Sequence, residues 1–244
     1  MENIERLREL IEKSNNIVFF GGAGVSTESG VKDYRSEDGL YNTVKEYGIP
    51  PERILSHTYL FEHPEVFYDF YYKYFLQYQV EPNKAHFALA ELEKRGKLSA
   101  VITQNIDCLH QAAGSKRVYE LHGTVSRHFC VECREEMALE EIKELKGRVP
   151  VCKSCGGFVR PDVVMYEEPL NRRTVMGAIG AISEADLLII GGTSLAVYPA
   201  ASYLQYFGGE NIVLINKSET SFDHKATLVF RDKIGEVLHN AVFC

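Results

Sequence analysis

The chain carries no surplus of basic residues. Its 27 Lys and Arg stand against 34 Asp and Glu, a net charge of −7. Non-specific nucleic-acid binding needs a basic face to neutralise phosphates, so this balance argues against direct nucleic-acid contact. Long apolar runs are also missing. The longest, such as Leu187–Ile190, fall far short of a membrane span. The start, Met1-Glu2-Asn3-Ile4-Glu5, has no basic cluster followed by an apolar stretch. No secretory signal is therefore visible, and a reducing cytoplasm is the expected compartment. There is no internal repeat and no low-complexity segment, and Asn105-Ile106-Asp107 is not a glycosylation acceptor. What is present is the composition of a folded protein: 244 residues, 45% hydrophobic and 25% charged. That length suits one large domain, or one with a small insert, around a sizeable core.

Of the six cysteines, four fall in register. Cys130 and Cys133, then Cys152 and Cys155, form two C-x2-C pairs. Each pair can sit on a tight turn that aims two thiolates at one point, and four thiolates complete a tetrahedral shell around zinc. Gly156 and Gly157 suit such a knuckle. Two disulfides are the competing reading, but two-residue spacing strains a local disulfide and the compartment is reducing. A shell of four thiolates leaves no open position, so the zinc is expected to be structural and not catalytic. Cys108 and Cys244 are left over and read as free thiols.

Four apolar runs end in polar clusters. Asn16–Phe20 leads into Gly21-Gly22-Ala23-Gly24, and Ala100–Thr103 into Gln104-Asn105-Ile106-Asp107. Asp186–Ile190 leads into Gly191-Gly192-Thr193-Ser194, and Ile212–Ile215 into Asn216-Lys217. Runs that are apolar throughout read as parallel strands buried on both faces. Helical patterns separate them: Ile4, Leu7, Leu10 and Ile11; Ala85 to Arg95; Pro199 to Phe207; and Ile234, Val237 and Leu238. This is the α/β pattern of an open parallel sheet, where ligands bind beyond the carboxyl ends of the strands. Four polar strand ends imply one shared crevice.

The small residues of Gly22-Ala23-Gly24-Val25-Ser26-Thr27 let backbone N–H groups approach a pyrophosphate at a helix start, or alternatively form only a tight turn. The third glycine of a dehydrogenase fingerprint is replaced by Thr27. No acid ends a strand about 20 residues on, where Tyr41 to Glu46 does not read as a strand. A dehydrogenase is thus the weakest of the enzyme readings. The zinc module lies between Val118–Leu121 and Arg160–Val164 as an insert, and Glu135 to Lys146 reads as one charged helix with Met137, Leu139, Ile142 and Leu145 on its apolar side. Phe61 to Tyr78 is dense in aromatics at helical spacing, which favours core packing over an apolar tunnel for a substrate chain.

Taken together, these segments resemble one family, the sirtuins, which are NAD-dependent protein-lysine deacylases. The resemblance is carried in order by Gly22-Ala23-Gly24-Val25-Ser26, Ser29-Gly30, Asp33-Tyr34-Arg35-Ser36, Pro82-Asn83 with Ala85-His86, Thr103 to Asp107 with Leu109-His110, and Leu121-His122-Gly123. It continues through both Cys pairs, Arg160-Pro161, Gly192-Thr193-Ser194-Leu195 with Val197 and Pro199, and Ile215-Asn216. It implies an α/β fold: a Rossmann-like parallel sheet over residues 1–35, 80–127 and 160–244. A smaller domain of helical insert and zinc ribbon would cover residues 36–79 and 128–159. NAD as co-substrate and an acyl-lysine peptide would enter the cleft from opposite sides. The expected protein is a monomer.

What the resemblance implies about residues follows the same motifs. The acyl oxygen attacks the anomeric carbon of the nicotinamide ribose and expels nicotinamide. A ribose hydroxyl and then water complete the transfer, giving lysine and O-acetyl-ADP-ribose. His122 would be the general base, since a neutral imidazole can take a hydroxyl proton near neutral pH. Asn105 would orient the ribose and a water. Asp107, with Ile106, would hold the nicotinamide carboxamide. Gln104 would bond the ribose, and Tyr34 would lie over the nicotinamide site. Arg35 would neutralise the diphosphate beside Gly22, Ala23, Gly24 and Thr27. Gly192, Thr193, Ser194, Asn216, Lys217, Lys233 and Ile234 would face the adenosine. Val163, Val164, Met165 and Tyr166 would pair with the substrate backbone. His57, His86, His110 and His128 read as structural.

The chain departs from the family pattern at Lys32 (usually Pro), Tyr34 (usually Phe) and Tyr166-Glu167-Glu168 (usually Phe-Gly-Glu). The last adds bulk and charge beside the substrate and suggests a preference for basic flanking residues. No Tyr-x-x-Arg pair for acidic acyl chains is seen in Phe67 to Gln79, which favours neutral acyl groups, acetyl first. A protein mono-ADP-ribosyltransferase, a long-chain neutral deacylase and a zinc module that senses NAD without turnover are the competing readings.

Overall fold

The computed structural model describes residues 2–32, 44–77 and 79–244. Tyr34 and Arg35, with Asp33, Ser36 and Tyr78, lie outside the described residues. Nine strands occur among the described residues. In chain order they are β1 (Ile17–Gly21), β2 (Leu98–Thr103), β3 (Val118–Glu120), β4 (Gly123–Cys130), β5 (Glu136–Met137), β6 (Val159–Val163), β7 (Leu187–Gly191), β8 (Asn211–Ile215) and β9 (Leu228–Phe230).

Six of them form a parallel sheet in the order β3-β2-β1-β7-β8-β9. β1 and β7 are buried along their whole length, which is why their sequences do not alternate. Their side chains still alternate between faces. Ile17 and Phe19 join Leu7, Ile11, Leu89 and Val237 on one side. Val18 and Phe20 join Ala178, Ile182 and Leu204 on the other. Helices therefore cover both faces: Glu2–Lys13, Lys84–Lys94 and Ile234–Phe243 on the first, Arg172–Glu184 on the second.

The helix Lys84–Lys94 starts where it does because Asn83 and His86 cap it reciprocally. The Asn83 side chain accepts from Ala85 N at 2.9 Å, and His86 Nδ1 accepts from Asn83 N at 3.2 Å. Strand order reverses at β1, which has β2 on one side and β7 on the other. That reversal opens a crevice at the carboxyl end of β1.

β4, β5 and β6 form a second, antiparallel sheet in the order β5-β4-β6. It begins at Gly123, directly after His122. Gly123 has φ +77° and lies so close to β6 that a Cβ there would stand 2.0 Å from the Asp162 carbonyl oxygen. Only glycine permits that approach. Short helices at Pro51–Ile54, His57–Glu62 and Pro64–Tyr71 pack on this sheet, the first two through Ile54, Tyr59 and Leu60 and the third through Phe67, Tyr68, Phe70 and Tyr71, all buried. Phe67 and Tyr71 stack at 5.6 Å, and the Tyr68 hydroxyl donates to the Val159 carbonyl at 2.6 Å. These four aromatics pack the core. Phe61 is 44% exposed.

Two local expectations differ from the structure, and one strand was not foreseen. Glu135 to Lys146 is not one helix: Glu136–Met137 pairs with His128 and Phe129, and the helix spans only Leu139–Glu144. Sheet pairing takes precedence over helical spacing there. Pro199 to Phe207 is a 3-10 stretch, Ala200–Tyr206. β9 is too short for its pattern to be read before β8 is there to pair it. No described helix is long and apolar enough to cross a membrane.

Candidate active site

After β1 the backbone makes two 3-10 turns, Ala23–Val25 and Thr27–Ser29, where the sequence suggested a helix start. The turns bring Gly24 onto the loop after β7. Gly24 N donates to the Gly192 carbonyl at 2.8 Å, and Gly192 N donates to the Ile215 carbonyl at 3.0 Å. A Cβ on Gly24 would lie 2.8 Å from Gly192 Cα, and one on Gly192, at φ +59°, would lie 2.3 Å from Val25 N. These loops pack backbone on backbone, so their glycines are required by contact.

The loop after β2 joins the same crevice. Gln104 N donates to the Gly21 carbonyl at 3.0 Å, and the Gln104 amide donates to Thr193 Oγ1 at 3.1 Å. His122 follows: its Nδ1 lies 2.9 Å from the Gln104 carbonyl oxygen. A carbonyl only accepts, so Nδ1 carries the proton and Nε2 keeps its lone pair. Burial lowers the His122 pKa from its ordinary value, against the opposing pull of the Gln104 carbonyl. The ring is therefore a neutral base with a fixed tautomer.

Asn105 and Asp107 meet through a residue that sequence reasoning did not place in the site. Asn105 Nδ2 donates to Ser26 Oγ at 3.0 Å, and Ser26 Oγ donates to Asp107 Oδ2 at 2.7 Å. Ser26 is fully buried. The available signal was a hydroxyl flanked by small and apolar residues in a loop already thought to face a ligand. Asp107 Oδ1 also accepts from Leu109 N at 3.0 Å. The Ile106 carbonyl accepts from Val125 N at 2.9 Å, tying this loop to β4. Thr27 Oγ1 turns back to the Gly24 carbonyl at 2.9 Å, a backbone-shaping role.

At the other end of the crevice, Thr193 is buried and Ser194, Lys217 and Lys233 are exposed. Asn216 offers its carbonyl to Arg231 at 3.0 Å, and Arg231 also bonds the Ser218 carbonyl and Asp223. Sequence reading missed Arg231. Ile234 is 4% exposed, and its Cδ1 would stand 2.3 Å from a Cβ on Gly191. Its side chain belongs to the core, leaving only main chain to meet a ligand.

On the opposite side of His122, Val164 N donates to the His122 carbonyl at 2.9 Å. β6 is an edge strand, and Val163 and Val164 are half-buried at its end. Met165 is buried, while Tyr166 is 45% exposed. Glu168 sits on Arg160, with Arg160 Nη1 and Nη2 at 2.5 and 2.9 Å, and also takes His57 Nδ1 at 2.7 Å and Met165 N at 2.9 Å. Burial raises the Glu168 pKa, but these donors outweigh it and hold the carboxyl at about 2. His57 is thus part of this hydrogen-bonded cluster, while His86, His110 and His128 are buried.

The four register cysteines converge. Their sulfurs all lie within 4.8 Å of one another, and Cys130–Cys155 and Cys133–Cys152 are 3.5 and 3.6 Å apart. Tetrahedral zinc–thiolate bonds of about 2.3 Å put sulfurs about 3.8 Å apart. A Cβ on Gly157 would lie 2.9 Å from Cys130 Sγ, so glycine keeps the cradle clear. All six cysteines are free thiols, which removes the disulfide reading. The four can hold a structural zinc.

A family model described as Sir2 family matches residues 22–199. The chain belongs to the Sir2 family. An NAD-dependent protein deacetylase of Clostridium perfringens (strain 13 / Type A) is 55% identical over 242 residues, covering 99% of both chains. A solved structure of Sir2 with a p53 peptide and NAD+ has a TM-score of 0.85 at 39% identity, covering 96% of this chain and 95% of that one. A Sir2 variant with a deacetylated p53 peptide and 3'-O-acetyl ADP ribose gives 0.88 at 39% identity, over 98% and 96%. The sirtuin glycine loop, the His122 loop and the cysteine cluster all fall within the matched span.

Proposed function

We propose that this sirtuin is an NAD-dependent protein-lysine deacetylase. Its products would be the free lysine, nicotinamide and O-acetyl-ADP-ribose. NAD supplies the glycosidic bond that is broken. The observation that carries the reading is His122: a neutral imidazole, its tautomer set by the Gln104 carbonyl, beside the loops that hold Asn105 and Thr193.

The chain's own groups divide the work. His122 Nε2 removes the proton of a ribose hydroxyl so that the oxygen can attack the acyl carbon. Ser26 takes up the Asn105 amide N–H, so that the Asn105 oxygen is the group left to orient a hydroxyl or water. Asp107 with Ile106 receives the carboxamide of nicotinamide, and Tyr34 covers it. Gln104 bonds the ribose. Backbone N–H groups of Gly22 to Thr27, with Arg35, receive the diphosphate. Gly192, Thr193, Ser194, Asn216, Lys217 and Lys233, with the main chain at Ile234, receive the adenosine. The peptide runs along Val163 to Tyr166 by main-chain pairing, which reads little sequence.

On this reading the cleft would lie between a larger unit (1–35, 80–127, 160–244) and a smaller one (36–79, 128–159), and β4 and β6 span the divisions at 127/128 and 159/160. The reading takes a single chain working in the cytoplasm on acyl-lysine proteins with neutral acyl groups.

The test is incubation with NAD and an acetyl-lysine peptide, with all products weighed by mass spectrometry. Loss of the acetyl group with formation of nicotinamide and O-acetyl-ADP-ribose is expected. A peptide that keeps its acetyl group and gains ADP-ribose would overturn the reading.

A further inference from the structure

Glu167 is a side-chain-bearing residue in a conformation that favours glycine. Its φ is +77°, inside the left-handed region. Something must hold it there, and the structure shows what does. Glu167 Oε2 accepts from Thr58 N at 2.9 Å and from Thr58 Oγ1 at 2.7 Å. Thr58 lies in the first turn of the helix His57–Glu62, which Ser56 caps by accepting from Tyr59 N at 3.2 Å. The carboxylate thus satisfies a donor at a helix start. The Thr58 donors hold the Glu167 carboxyl below the usual carboxylate range, consistent with a made contact.

The adjoining residues are pinned to the same element. Tyr166 N donates to the Leu55 carbonyl at 3.0 Å, and His57 N donates to the Tyr166 carbonyl at 2.9 Å. Two residues before Tyr166, Val164 bonds the His122 carbonyl. A short chain segment therefore runs from the main chain of His122 to the helical insert, with Glu167 at its far end. Both carboxylates of the Glu167-Glu168 pair have partners within the protein, Thr58 for one and Arg160 with His57 for the other.

We propose that Glu167 is a positioning residue: by latching onto Thr58 it pre-forms the Val163–Tyr166 segment against which an acyl-lysine peptide is laid. This rests on the deacetylase reading. A segment ordered in advance loses less freedom when the peptide binds, so the latch acts on peptide affinity and not on the chemical step.

The experiment compares wild type, Glu167→Ala, Glu167→Gln, Thr58→Val and the Glu167→Ala/Thr58→Val double variant, each with steady-state kinetics on acetyl-lysine peptide and NAD. Glu167→Ala is expected to raise the peptide KM about three- to tenfold, the loss of one or two modest hydrogen bonds. Its kcat and NAD KM should stay at wild-type values. Glu167→Gln, which keeps an acceptor for Thr58 N–H, should recover most of the loss. Thr58→Val should have no further effect once Glu167 is gone. An unchanged peptide KM in Glu167→Ala, additive effects in the double variant, or equal damage to kcat and NAD KM would each overturn the latch.

Amide hydrogen exchange of residues 55–58 and 165–168 gives a second readout, free of turnover. Faster exchange confined to both segments in Glu167→Ala supports the latch, and unchanged exchange overturns it. If wild type itself transfers no acetyl group, the deacetylase reading fails, and exchange alone decides whether the latch orders the loop.

Discussion

The Nδ1 atom of His122 sits 2.9 Å from the main-chain carbonyl oxygen of Gln104, a residue on a different strand end. The contact joins the base to the crevice loops. Gln104 reaches Thr193 with its side chain and Gly21 with its main chain, so displacement of either loop moves the imidazole.

Replacing His122 by Ala should lower deacetylation by about a hundredfold to ten-thousandfold, the usual contribution of a general base. NAD should still bind, because the glycine loops are untouched. Product analysis by mass together with NAD titration by calorimetry checks both halves. Deacetylation near the wild-type rate would remove His122 from its role.

Gly192→Ala should be damaging for reasons unrelated to chemistry. A Cβ there meets Val25 N at 2.3 Å while the residue keeps φ +59°. Strain of this kind costs about 2 kcal/mol or more, and its relief would push the β1 and β7 loops apart. Lower stability in urea and a raised NAD KM are expected together. A variant stable to urea, with wild-type NAD KM, would contradict the packing described.

Acid should destabilise the fold through His86 and His110, whose rings lie 4.7 Å apart. Both are buried, and burial lowers their pKa values from 6.5 to about 4 and about 3; the neighbouring His86 lowers that of His110 further, while Asp107 partly offsets the shift of His86. The unfolded chain takes up both protons below pH 6.5 and the native chain does not. Stability is therefore complete above that pH and falls as pH drops toward 4. Two protons give a slope of about 3 kcal/mol per pH unit within that window. Urea titrations between pH 7 and pH 4.5 measure it, and His110→Leu should flatten the slope by about one proton.

Removing zinc should unfold the module around β4, β5 and β6 and abolish activity, although the four thiolates leave no site for substrate. Metal analysis should find about one zinc per chain, lost in Cys152→Ser. A folded, active, metal-free protein would be decisive against this.

Much of the site was legible because its chemistry recurs in short segments. The four strand ends, the two cysteine pairs and His122 all stand out by residue type and spacing. Ser26 did not, because its importance comes from Asn105 and Asp107, about 80 residues away. Arg231 was invisible for the same reason: it acts on the carbonyls of Asn216 and Ser218. Met137 was misread as helical because a two-residue strand has no periodicity of its own and exists only by pairing with His128.

Residue type and spacing along the chain were enough to read the parallel sheet, the cluster of four cysteines and the crevice, since burial on both faces, thiolate spacing and polar strand ends are local properties of the chain. Which nitrogen of His122 carries the proton, where Ile234 points and what holds Glu167 became visible only in the folded chain. Those depend on a partner brought close by folding, and hydrogen bonds and contact sterics act over a few ångströms of space whatever the separation in sequence.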